Sequence, residues 1–229
     1  MILPAGASKL WHFIAEKEEL MSNLTLFESA QVLAGYTQKQ RQILDAAISV
    51  FAEKGYAGAS THEIAKRAGV AEGNIFARFG SKRGLLNAVI KPIINQIFPN
   101  AMAEMIQNQL NLPFPSLADF CRELVTGRLH LLRDNTAVVK VFVTELFSQE
   151  QIRELIIQRF SDDYWVQLTK TLDQLKAHGQ LVQWDNHAIM KCLWSIVGGT
   201  AVGALYFGQP LDDQSIALTV EAAIKALTP

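Results

Sequence analysis

Cysteine is scarce in this 229-residue chain: there are two, Cys121 and Cys192, neither in a CxxC nor near a histidine at metal-ligand spacing. That excludes a disulfide-stapled scaffold and a thiolate zinc site, and it suits a reducing cytoplasm. No basic lead-in before a long apolar core stands at the N-terminus, so a secretory signal is not expected. Strand-like alternation is missing as well. Apolar spacings of three and four recur instead, which predicts an all-helical protein. Neither paired carboxylates, a nucleophile beside a base, a phosphate loop nor a metal cluster occurs at a recognisable spacing, so no catalytic residue, metal or cofactor is assigned and an enzyme is not expected. One stretch lacks charge, between Lys191 and Asp212, and contains a GxxxG at Gly199 and Gly203. Ser195, Thr200, Gln209, Pro210 and four glycines interrupt it, so it reads as a buried helix of a soluble protein, and no membrane partner is expected.

Net charge is nearly absent too, at −1, but the charges are divided. From Thr37 to Lys91 there are nine basic and four acidic residues, whereas the remainder has 12 basic and 18 acidic. A basic block on an acidic body is the pattern expected when one part must meet a polyanion. With 49% apolar residues the chain can bury a sizeable core.

The helical punctuation is regular. A first helix of the ordered series is predicted from Thr37, with Ile43, Leu44, Ala47, Ile48 and Phe51 on one face, ending at Gly55. A second starts at Ser60 with Glu63 three residues on, a capping-box signature, and ends at Gly69. A third is predicted from Ala71 to Phe79, and a fourth from Ser81 that must kink or end at Pro92 or Pro99. Further helices are expected from Ser116, from Ala137 to Phe147, from a Ser148/Gln151 cap to His178, from Asp185, and from Asp212 or Asp213 to Leu227. In residues 1–36, Leu10, Phe13, Ile14 and Met21 could line one face of a helical arm, or the segment could be an inert leader.

The second and third helices, joined by a short turn at Gly69, make the arrangement that helix-turn-helix proteins insert in the major groove. Ile64, Ala65, Val70, Ile75 and Phe79 are spaced to pack inward, leaving Glu72, Gly73, Asn74, Ala77 and Arg78 outward. Asn can pair with adenine, Arg with guanine, and Gly allows close approach of the backbone. Ser60, Thr61, Lys82 and Arg83 lie at helix starts, suited to phosphate.

The segment from Gln40 to Leu86, "QRQILDAAISVFAEKGYAGASTHEIAKRAGVAEGNIFARFGSKRGLL", resembles the N-terminal domain of the TetR/AcrR family of transcriptional repressors. The resemblance runs through Ile43, Leu44, Ala47, Phe51, Gly55, Tyr56, Ile64, Ala65, Ala68, Gly69, Val70, Gly73, Ile75, Phe79, Lys82 and Leu85. It implies an all-α homodimer with an N-terminal extension (1–36), a helix-turn-helix domain (37–82), and an effector-binding and dimerisation domain (83–229). Carried over, Ser60 and Thr61 touch phosphate, Gly73 and Asn74 face bases, and Lys82 holds phosphate. Three departures stand out: Phe76 for the usual tyrosine, Arg78 where histidine or tyrosine is frequent, and Ala71 for a serine cap.

In the body, Met102, Met105, Phe120, His130, Phe142, Phe147 and Trp165 are candidates to line an effector pocket for a hydrophobic or amphipathic small molecule. Trp194, Gly198, Val202, Ile216, Val220 and Ile224 are candidates for a twofold dimer interface. The expected partners are a palindromic double-stranded DNA operator, a small-molecule effector and a second copy of the chain. The competing reading is a helical ligand-binding dimer that has lost specific DNA binding.

Overall fold

The computed structural model describes residues 23–105, 114–159 and 162–229. The arm positions Leu10, Phe13, Ile14 and Met21 lie outside them. Among the described residues every regular element is helical, and the chain divides into two compact units, the first ending at Pro92 and the second starting at Ile93.

The first unit opens with a short helix, α1 (Thr25–Ser29), followed by α2 (Gln38–Gly58), α3 (Thr61–Arg67), α4 (Gly73–Phe79) and α5 (Lys82–Pro92). The start of α2 is fixed by a full capping box in which the Thr37 hydroxyl accepts from Gln40 N–H (3.4 Å) and Gln40 Oε1 accepts from Thr37 N–H (3.0 Å). Ile43, Leu44, Ala47, Ile48 and Phe51 are buried as the periodicity predicts, and the helix breaks at Gly55, whose φ is 68°. A left-handed backbone there is open to glycine at little steric cost. α3 and α5 both pack on α2, and α4 packs on α5. α5 lies beyond the expected boundary at residue 82, yet Leu85, Leu86, Val89 and Ile90 bury it in this first unit.

Residues 23–36 are docked on α2. Phe27 and Leu33 are buried, and Asn23 donates from its backbone and side chain to Asp45 Oδ1 (2.9 and 3.0 Å).

The second unit begins with a π-helical turn at Ile93–Ile97, directly after Pro92, and continues as α6 (Phe98–Met105). Proline cannot supply the amide that a regular α ladder needs, and a π turn is one way the chain absorbs it. α7 (Leu117–Asp134), α8 (Thr136–Ser148), α9 (Glu150–Arg159), α10 (Asp162–Ala177), α11 (Asn186–Phe207) and α12 (Asp213–Leu227) follow. The core joins Phe120, Leu124 and Leu129 of α7 to Leu168 and Leu172 of α10, Leu193 and Val197 of α11, and Ile216, Val220 and Leu227 of α12.

One helix expected from Ser148 to His178 is instead two, α9 and α10. Ser148 does not cap the first of these. Its hydroxyl donates back to the Thr144 carbonyl (2.7 Å), making it the last residue of α8.

Candidate nucleic-acid interface

Ser60 is in extended conformation and its hydroxyl accepts from Glu63 N–H (3.1 Å), which starts α3. The reciprocal half of the expected capping box is not made, because the Glu63 carboxylate turns to Lys54 Nζ (2.7 Å) and Arg67 (3.8 Å). α3 ends in a Schellman turn: Val70 N–H donates to Ala65 O (3.0 Å) and Gly69 N–H to Lys66 O (3.3 Å), with Gly69 at φ 65°. That turn aims α4. Ile75 is fully buried, and Gly73, Asn74, Phe76, Ala77 and Arg78 are exposed, Phe76 at 48%. α4 starts at Gly73 rather than Ala71, and its N-cap is Glu72, which is in helical conformation and makes no side-chain cap bond, so residue 71 is not the capping position.

Two expected contact residues hold each other. The Thr61 hydroxyl donates to Glu72 Oε1 (2.5 Å), and Glu72 also faces His62 Nδ1 at 3.6 Å, tying the start of α3 to the turn before α4. Lys82 is likewise engaged within the protein. Its ammonium donates to the carbonyls of Tyr56 (2.8 Å) and Ala59 (2.9 Å), groups at the end of α2 left without a helical partner, and sits 4.5 Å from the Tyr56 ring centroid. Arg83 lies over the same ring at 4.3 Å. Sequence reasoning assigned Lys82 to phosphate alone, since nothing in its spacing shows which carbonyls it meets.

The basic surplus is thus partly consumed. Arg67 forms a two-point pair with Glu53, one bond at 2.8 Å, and that hydrogen bond holds the Glu53 carboxyl below its ordinary range. Lys54 pairs with Glu63, and Arg41 with Glu28 at 3.5 Å. Lys39, Lys66, Arg78, Arg83 and Lys91 present exposed positive charge.

Two structural residues here carry little sequence signal. A Cβ on Gly84 would stand 1.8 Å from the Phe79 carbonyl oxygen, so only glycine lets the start of α5 approach the end of α4. Tyr36, before α2, lies under Arg78, 5.3 Å from guanidinium carbon to ring centroid.

In the second unit the candidate pocket residues differ in their surroundings, and Phe120 and Trp165 share one core. Phe120 is fully buried and edge-on to Phe114 (5.3 Å), Trp165 stacks on His187 (4.2 Å), Phe142 is half-buried and Phe147 is 71% exposed. Met102 and Met105 fall on α6, and their side chains lie outside the described set. His130 lines an open groove of about 520 Å³ between α7 and α12, together with Arg122, Ile216, Val220 and Ile224. Of the expected dimer residues, Ile216 and Val220 are therefore in the core, with Ile224 packed against it, because their spacing sets them on the α7-facing side of α12. The outward apolar residues are Leu218 on α12 and Trp194, Val202, Tyr206 and Phe207 on α11, with Gly198 half-buried between them. By length and composition α11 could cross a membrane, with a mean hydropathy of 1.5 over an 18-residue window that is 33% buried.

Comparison with known proteins adds to this geometry. Residues 43–89 match the pattern of "Bacterial regulatory proteins, tetR family". The fatty acid metabolism regulator protein of Bacillus subtilis is 41% identical over 71 residues, 31% of this chain and 36% of that one, so the chain spans only about a third of that relative's length. The regulator BetI of Escherichia coli is 26% identical over 177 residues, 76% of this chain and 86% of that one. Among solved structures, FadR of Bacillus subtilis in complex with stearoyl-CoA has a similar fold, with a TM-score of 0.54 at 23% identity, covering 80% of this chain and 94% of that one.

Proposed function

Because the chain belongs to the tetR family of bacterial regulatory proteins, we propose that it is a homodimeric repressor that releases a palindromic operator when a hydrophobic or amphipathic small molecule binds its second unit. The observation that carries this reading is the presentation of α4: a fully buried Ile75 anchors it and leaves Gly73, Asn74, Ala77 and Arg78 facing outward. In it, Asn74 and Gly73 meet base edges, Arg78 and Ser60 meet phosphate, and Thr61 with Glu72 holds the turn at its angle. Lys82 acts chiefly by fastening α5 to the end of α2. The working form is cytoplasmic, where operator DNA and reduced thiols coexist.

Two copies are required because one recognition helix reads only a half-site. A twofold pair places two such helices about 34 Å apart, in successive major grooves. The exposed Trp194, Val202, Tyr206 and Leu218 supply the surface for that pairing. The test is an electrophoretic mobility shift with DNA from upstream of the protein's own gene. A sequence-specific shift that weakens steeply with salt is the expected result.

A second reading, a ligand-binding dimer without specific DNA binding, is favoured by one observation. The first turn of α4 lacks a side-chain cap, and the exposed Phe76 ring has no hydroxyl to offer phosphate. Weak, sequence-blind binding in the same assay would select it.

A further inference from the structure

Arg78 is the charged residue of α4, and its guanidinium lies over the face of Tyr36 at 5.3 Å. Tyr36 belongs to the segment before α2, outside the expected helix-turn-helix domain. That segment is anchored along its length. Asn23 donates to Asp45 and to Ser49 Oγ (2.9 Å), Phe27 and Leu33 are buried, and Arg41 donates to the carbonyls of Leu33 (3.1 Å) and Tyr36 (3.4 Å). Tyr36 N–H itself donates to Leu33 O at 3.0 Å. The backbone that carries the ring is therefore held by contacts to α2, independently of α4. Around it, Tyr36, Arg78, Phe79, Asn87 and Lys91 line an open groove of about 430 Å³ with two cations and no carboxylate in its lining.

We propose that Tyr36 is a positioning residue for Arg78, and that residues 23–36 are a brace built onto the DNA-reading unit, holding this guanidinium ready for a backbone phosphate. The inference rests on the DNA-binding reading above. An exposed arginine loses rotamer freedom when it engages a phosphate, and a side chain already held in one orientation loses less. Contact with a ring face occupies the π surface of the guanidinium and leaves its in-plane N–H groups for oxygen acceptors. The brace thus raises affinity without touching DNA.

Fluorescence anisotropy of the full-length chain on its operator tests this through a double-mutant cycle. Each ring contact should be worth a factor of about two to five, so Tyr36→Ala weakens a dimer by roughly five- to twentyfold. Tyr36→Phe, which keeps the ring face, retains wild-type affinity, and Tyr36→Leu, which keeps bulk for folding, behaves like Tyr36→Ala at unchanged Tm. Combined with Arg78→Ala, Tyr36→Ala adds no further loss. Without DNA, the Arg78 side-chain proton resonances, shifted upfield by the ring current, move downfield in Tyr36→Leu. If the two single losses multiply in the double variant, or if the resonances do not move, the brace is refuted while operator binding by the wild type leaves the regulator reading intact. A wild-type chain that binds no DNA specifically removes both.

Discussion

Lys82 and Asn74 both belong to the first unit and should fail differently. Lys82→Ala removes two charge-assisted bonds to the Tyr56 and Ala59 carbonyls, so urea unfolding should show a loss of about 1–2 kcal/mol, with operator affinity lowered alike at all sequences. Asn74→Ala, on an exposed position, should leave stability within about 0.5 kcal/mol and change base preference in a binding-site selection. Cys121 makes a third residue-scale case. It is fully buried on α7, and burial pushes its thiol up to about 12, so at pH 8 it is held neutral. A thiol-reactive dye should label it only after unfolding, while the half-buried Cys192 sets an upper limit of one thiol per native chain. None of the Lys82 geometry was legible in sequence, because the carbonyls it meets come from residues 23 and 26 positions earlier.

Among elements, the turn and the joint around α4 separate two kinds of glycine. Gly69 is readable in advance: it follows a periodic segment, and its φ of 65° is what a helix terminus requires. Open space surrounds its Cβ position, so Gly69→Ala should cost only the backbone strain, about 1 kcal/mol or somewhat more. Gly84 has an ordinary helical setting and no such signature. Its Cβ would collide with the Phe79 carbonyl, so Gly84→Ala must shift backbone at the end of α4, at about 1–3 kcal/mol. Thermal unfolding with anisotropy on operator DNA checks both, and the larger loss of affinity is expected for Gly84→Ala. The element boundaries were legible where a cap residue stood next to a periodic face, as at Ser60 and Ser116. They were not where a hydroxyl had a competing acceptor, as Ser148 has in the Thr144 carbonyl.

At the scale of the whole molecule the second unit sets the prediction. Light scattering should find twice the chain's mass at micromolar concentration, and Leu218→Asp or Trp194→Asp, by charging an exposed apolar face, should give monomer and lose the operator shift. The effector proposed above is a hydrophobic or amphipathic small molecule. Added at 100 times its Kd, such a ligand should stabilise the protein by about 2.7 kcal/mol and lower operator affinity. Thermal shift and anisotropy read the two effects separately.

By itself the sequence determined the all-helical fold, the helices of the first unit from Thr37 to Phe79 and the outward face of α4, since these depend on local capping, turn conformation and a periodic apolar face. Tertiary structure alone decided which α12 side chains are core rather than free surface, where the Lys82 ammonium goes, and that Arg78 lies over the Tyr36 ring. Each of those is a meeting between distant positions, and a distance in space leaves no trace in spacing along the chain.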